Sequence, residues 1–153
     1  MITGVQCRLA KIDEVRSRIE PLLCAHWGEV ARHRSAVPLN PSWDYYYASE
    51  KIDRLVVVVA EHGVELVGYN VYFLAPMLHN MPTLLAKNDI IYIRPEYRRG
   101  SLAVRMMAMG ESQAKRLGAS IVSMHVKTDH DFSRLLLRAG YAEVETTFSK
   151  VLT

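Results

Sequence analysis

The chain has 153 residues, 50% of them hydrophobic and 23% charged, with 19 basic and 16 acidic side chains and a net charge of +3. Residues 1–153 fit a single domain, which at this size buries about 68–70% of its unfolded surface and holds a core without staples. So small a basic excess gives no ground for a nucleic-acid partner, and the longest apolar run, 55–60, falls far short of the roughly 20 residues that cross a bilayer.

Taken in order, residues 5–9 alternate apolar and polar and predict a first strand, with Cys7 a small core residue. Ile12, Val15, Ile19, Leu22 and Leu23 follow a helical period, which Pro21 should kink or restart. Residues 24–31 carry His26, Trp27 and Glu29, and 32–41 read as a loop with two prolines. Ser42 is an N-cap candidate for a short helix to Lys51 bearing Trp43, Tyr45, Tyr46 and Tyr47. Residues 55–60 are a β-branched run, the pattern of a strand buried on both faces. His62 and Gly63 turn the chain into the next strand, 66–74, which sets Val67, Tyr69, Val71 and Phe73 on one face. Gly68 within it signals a bulge or a close backbone approach. Residues 76–83 form a loop containing His79.

The informative stretch is 88–103. Ile90, Ile91, Tyr92 and Ile93 form a strand that Arg94 and Pro95 stop. A basic turn of small residues follows, and then Leu102, Met106, Met109 or Gly110, Gln113 or Ala114, and Leu117 recur at helical spacing up to Gly118. A strand, a tight basic turn and a helix make an anion site, because the first amides of a helix lack partners within it and carry the positive end of its dipole. Gly100, Ser101 and Ala103 leave room, and Arg98 or Arg99 supplies charge-assisted hydrogen bonds. Residues 121–126 predict another buried strand. Asp129 or Asp131 caps a helix running to Ala139, and Val144, Thr146 and Phe148 alternate in a last strand. The order β-α-α-β-β-β-α-β-α-β is that of a mixed sheet flanked by helices, not a doubly wound one.

Arg98-Arg99-Gly100-Ser101-Leu102-Ala103 resembles the Q/R-x-x-G-x-G/A pyrophosphate loop of the GNAT superfamily of N-acetyltransferases. Ser101 stands where that family usually places the first glycine of the loop. Ile93-Arg94-Pro95-Glu96-Tyr97-Arg98 is similar to the strand end that precedes this loop. Leu135-Leu136-Leu137-Arg138-Ala139-Gly140-Tyr141 resembles the family's Leu-Tyr-Glu-Lys-Leu-Gly-Phe, and the whole pattern through 148–152 is most similar to phage-encoded members. The resemblance implies the GNAT fold and transfer of an acetyl group from acetyl-CoA to a primary amine, in a small molecule or a protein, with no metal. The alternative it leaves is an inactive binding or structural protein on the same fold, such as a phage component.

Residue by residue, the resemblance implies a pantetheine track along Ile91, Tyr92 and Ile93 and a pyrophosphate cradle from Arg98, Arg99, Gly100, Ser101, Leu102 and Ala103. Asp129 falls where the family often touches the cofactor. Asp89, at the head of the central strand, is the candidate base, with Glu29 and His79 in reserve. The family's usual acid, a tyrosine, is Leu136 here, so Ser133 or water is left to serve the leaving thiolate. Trp27, Glu29, Tyr46 and His79 are expected on the acceptor side. A cytoplasmic protein, without a membrane partner and with a homodimer open to it, is the expectation.

Overall fold

A computed structural model describes residues 4–33 and 35–152. The elements are β1 (Val5–Leu9), α1 (Ile12–Val30), α2 (Trp43–Lys51), β2 (Leu55–His62), β3 (Glu65–Pro76), β4 (Leu84–Ile93), α3 (Leu102–Arg116), β5 (Ile121–Ser123) and α4 (Ser133–Arg138). One sheet runs in the order β1-β2-β3-β4-β5; its first four strands are antiparallel, and β5 is parallel to β4. No helix among the described residues is long and apolar enough to cross a membrane.

Alternation along the strands gives the sheet two apolar faces. One is covered by α3, whose Leu102, Met106 and Ala114 pack on Val56, Val58, Tyr72, Leu74 and Ala86. The other is covered by α1 and α2, where Ile12, Val15, Ile19 and Leu22 meet Val57, Val59, Tyr69, Val71 and Tyr92. Residues 55–60 are buried on both faces, as the β-branched run requires.

Several expectations are corrected. α1 continues through Pro21 as a single helix. Val67 leaves the face of Tyr69, Val71 and Phe73 and joins the α3 side. Its cause is a bulge: Ala60 pairs with Gly68 but Glu61 with Leu66, so Val67 is the extra residue. Gly68 also meets the close approach its position suggests, since a Cβ there would lie 2.9 Å from the Tyr92 carbonyl oxygen. β4 starts earlier than its apolar run, and β5 stops at Ser123 rather than residue 126. The last strand does not form. Residues 142–152 carry no strand and no backbone hydrogen bond among the described residues, and Val144 and Phe148 are exposed. An alternating segment supplies a face, but a strand also needs an edge to pair with, and this one meets none.

Candidate active site

The site begins where the sheet splits. β4 pairs with β5 only over Leu85, Ala86 and Lys87, against Ile121, Val122 and Ser123. Beyond Lys87, β4 runs on to Ile93 with no strand on that edge. Some peptide groups on this stretch are already engaged, since the Ile93 carbonyl accepts from Arg98 Nε at 2.8 Å and the Ile90 carbonyl from Asn88 Nδ2 at 3.4 Å; Ile91 and Tyr92 lie between them.

Asp89 sits at the split as the extra residue of a second bulge, because Tyr72 pairs with Asn88 and Val71 with Ile90. A bulge re-aims a side chain. Here it turns Asp89 to the α2 side, where the Tyr46 hydroxyl donates to Asp89 Oδ2 at 2.7 Å. Burial, then the Asp89 charge, pushes the Tyr46 phenol well above its ordinary value, so it stays a donor. Behind it the Tyr69 hydroxyl is buried without a hydrogen-bond partner among the described residues, in the field of Tyr46 and Asp89. Under the bulge, Asn88 Nδ2 donates to Asn70 Oδ1 at 2.7 Å and to the Val71 carbonyl at 3.0 Å. Asn70 in turn donates to the Tyr72 hydroxyl at 3.0 Å. These buried amides fix the irregular backbone that carries Asp89.

At the other end of β4, the turn into α3 has an open cradle. Gly100 takes φ +90°, a conformation that suits glycine. No side chain caps α3, and the first amide of this region with a backbone acceptor among the described residues is that of Arg105, bonded to Ser101. The two loop arginines differ. Arg98 is engaged: Nε donates to the Ile93 carbonyl at 2.8 Å, and both terminal nitrogens donate to the Glu29 carboxylate at 2.7 Å. That pair holds the Glu29 carboxyl below the usual carboxylate range. Arg99 is exposed and has no ion pair among the described residues.

Around Arg98 lies a cluster the sequence did not signal. The guanidinium stands 5.4 Å from the Tyr92 ring centroid, and His26 stacks on that ring at 5.0 Å. Burial pushes the His26 imidazole down to about 4; the cations Arg98, Lys127 and His130 act in the same direction, against Glu29. A group depressed in the fold stabilises it above the unfolded value near 6.5, and that contribution is lost as pH falls toward 4. Urea unfolding at pH 7 and pH 5 should therefore differ by roughly 1–2 kcal/mol, after allowance for screening, with His125 adding in the same sense. His26→Gln should remove most of the difference; an unchanged difference would show that the imidazole is not held neutral by the fold.

Other expected residues have partners or surroundings of their own. Asp129 pairs with Arg32 at 2.7 Å. The Ser133 amide donates to Asp131 Oδ1 at 2.7 Å, so Asp131 caps α4. Leu136 is buried. His79 lies in the exposed turn between β3 and β4, past the Pro76–Leu84 pair that closes the ladder. That pair stands roughly 16 Å of strand from Asp89, and His79 touches nothing in the site among the described residues. Trp27 is half-buried on α1, two residues before Glu29.

The sequence matches the acetyltransferase (GNAT) family over residues 21–141. No curated protein matches it. Among solved structures, an aminoglycoside acetyltransferase from an uncultured soil metagenomic sample superposes with a TM-score of 0.75 at 12% identity, covering 99% of each chain. Glucosamine-6-phosphate N-acetyltransferase from Arabidopsis thaliana gives 0.71 at 12% identity, over 97% of this chain and 99% of its own. Ribosomal-protein-alanine N-acetyltransferase from Brucella melitensis biovar Abortus 2308 gives 0.69 at 15%, with the same coverage. At such identities the likeness is one of fold.

Proposed function

We propose that this chain, which belongs to the acetyltransferase (GNAT) family, transfers an acetyl group from acetyl-CoA to a primary amine held between α1, α2 and the split of β4 from β5. One observation carries the reading: the split leaves an open strand edge that joins an acidic side chain at one end to an uncapped, glycine-turned helix start at the other.

Bound at that edge, acetyl-CoA supplies an activated acetyl group. The chain's residues do the rest. Amides of 99–103, with Arg99, hold the diphosphate. Peptide groups along Ile91, Tyr92 and Ile93 orient the pantetheine arm. Asp89, fixed by Tyr46, draws in the acceptor ammonium and takes its proton, directly or through water, since an alkylammonium with a pKa near ~10.4 must be deprotonated before it attacks. Tyr46, bonded to Asp89, is the aromatic side chain that suits a cationic amine beside it. Ser133 at the start of α4, or water, serves the leaving thiolate, because Leu136 has no proton to give. The acceptor is an amine of undefined class: the structural neighbours are named for an amino sugar phosphate, aminoglycosides and a protein. Two free cysteines fit a reducing, cytoplasmic setting. Likeness to phage-encoded members rests on the sequence pattern alone.

A second reading, a GNAT scaffold without turnover, is favoured by Leu136 and by the Glu29 carboxylate already seated on Arg98. Calorimetric titration with acetyl-CoA, followed by thiol release with a panel of primary amines, separates the two; binding without release for any amine supports the scaffold. For the cradle, Arg99→Ala should weaken acetyl-CoA binding about 5- to 10-fold, as the loss of a charge-assisted contact at an exposed site, and Ser101→Trp should nearly abolish it. Unchanged affinity in both variants, with the fold intact by circular dichroism, would remove the phosphate assignment.

A further inference from the structure

The split holds one more titratable group that the reading above leaves idle. Lys87 opposite Ser123 is the last pair of the parallel β4–β5 register, so Asp89 and His125 each lie two residues beyond it, on the two sides of the split. Side chains alternate along an extended segment. Val122 and Met124 pack into the α3-side cluster, so Ser123 and His125 turn to the opposite face, the one from which Tyr46 reaches Asp89. Besides burial, the charges of Lys127 and Lys87 lower the imidazole pKa, and the Asn88 backbone and the Asp89 carboxylate raise it, so all four residues act on the ring.

We propose that Asp89 and His125 form a two-step proton path, in which the carboxylate receives the acceptor's proton and the imidazole carries it out to solvent. The inference rests on the acetyltransferase reading. A carboxylate alone is a weak base toward an alkylammonium, and a proton held there returns quickly. An imidazole beside it, nearer neutrality, drains that proton and keeps the amine free to attack. His125 suits this role because its residue is exposed to solvent at the mouth of the split, while partial desolvation of the ring and then Lys127 lower its pKa. The balance closes. The ammonium nitrogen carries three protons and the amide product one. One proton leaves by Asp89 and His125; the other goes to the CoA sulfur as the C–N bond forms and the C–S bond breaks.

His125→Gln should lower turnover about 10²-fold, the lower end for an acid–base group, with the acetyl-CoA dissociation constant unchanged. Added imidazole should restore part of the rate to His125→Ala. In combination with Asp89→Asn, His125→Gln should cost little more than Asp89→Asn alone. Wild-type turnover in His125→Gln, or fully multiplicative losses, would overturn the path. One readout needs no acceptor at all. In NMR titration of the His125 imidazole, Asp89→Asn should lower the midpoint, because the carboxylate raises it; an unmoved midpoint would show that the two groups do not face each other and end the proposal. If the wild type acetylates no amine while the midpoint moves, the acetyltransferase reading fails and the pairing of the two groups stands.

Discussion

Asp89→Asn is expected to lower kcat/KM by about 10²–10³-fold at pH 7, with the deficit shrinking as pH rises toward 10. The magnitude is that of removing a positioned base. Its pH dependence comes from the acceptor: near its own pKa the amine is already free, and the enzyme's base has less to add. Asparagine keeps the shape of the side chain, and its carbonyl oxygen can still accept from the Tyr46 hydroxyl that now reaches Oδ2 at 2.7 Å. The variant therefore tests charge rather than geometry, and acetyl-CoA affinity should hold. Tyr46→Phe makes the complementary test. It leaves the carboxylate and deletes the bond that orients it, worth about 1–2 kcal/mol, so its loss should be only several-fold. Turnover by Asp89→Asn that equals wild type at every pH would remove Asp89 as the base, whatever its place in the fold.

How much of this centre could be read in advance depends on whether a signal is local. The turn from β4 into α3 was legible because its parts are adjacent: a proline stop, a glycine at positive φ and a helical period within one short stretch. The helix faces were legible for the same reason, and Leu102, Met106, Gly110 and Ala114 are buried as the period requires. The bulge at Asp89 was not. Ile90, Ile91, Tyr92 and Ile93 are all apolar, so a one-residue change of phase leaves no mark on the pattern, whereas at Val67 a neighbouring glycine gave a hint. Arg98 illustrates the other limit. Its motif assigns it to a phosphate, but its partner, Glu29, lies 69 residues away on α1. The sequence gives His26 and His125 no role, because an isolated histidine carries no spacing. His26 acquires meaning from the ring it stacks on, and His125 only from a strand register. In the tail the error ran the other way: alternation was present at Val144, Thr146 and Phe148, but no sheet edge answers it.

Gly110→Ala should destabilise the protein by about 2–3 kcal/mol, although alanine is the better helix former by about 1 kcal/mol. Gly110 lies in the middle of α3, where a Cβ would stand 2.4 Å from Tyr72 Cε2 and 3.1 Å from its Cζ. The contact cannot be relieved cheaply. Tyr72 is fully buried, and its hydroxyl accepts the hydrogen bond from Asn70, whose own oxygen accepts from Asn88. To yield, the ring must either compress the α3 interface or pull on the amides beneath the Asp89 bulge. The loss of stability should therefore come with a fall in turnover beyond any change in the folded fraction. Tyr72→Leu deletes the atoms in conflict, so the urea midpoint of Gly110→Ala with Tyr72→Leu should fall by clearly less than the two single effects together. Strict additivity would mean that α3 accommodates the methyl by another movement, and that the glycine is not what lets Tyr72 hold the network under the base.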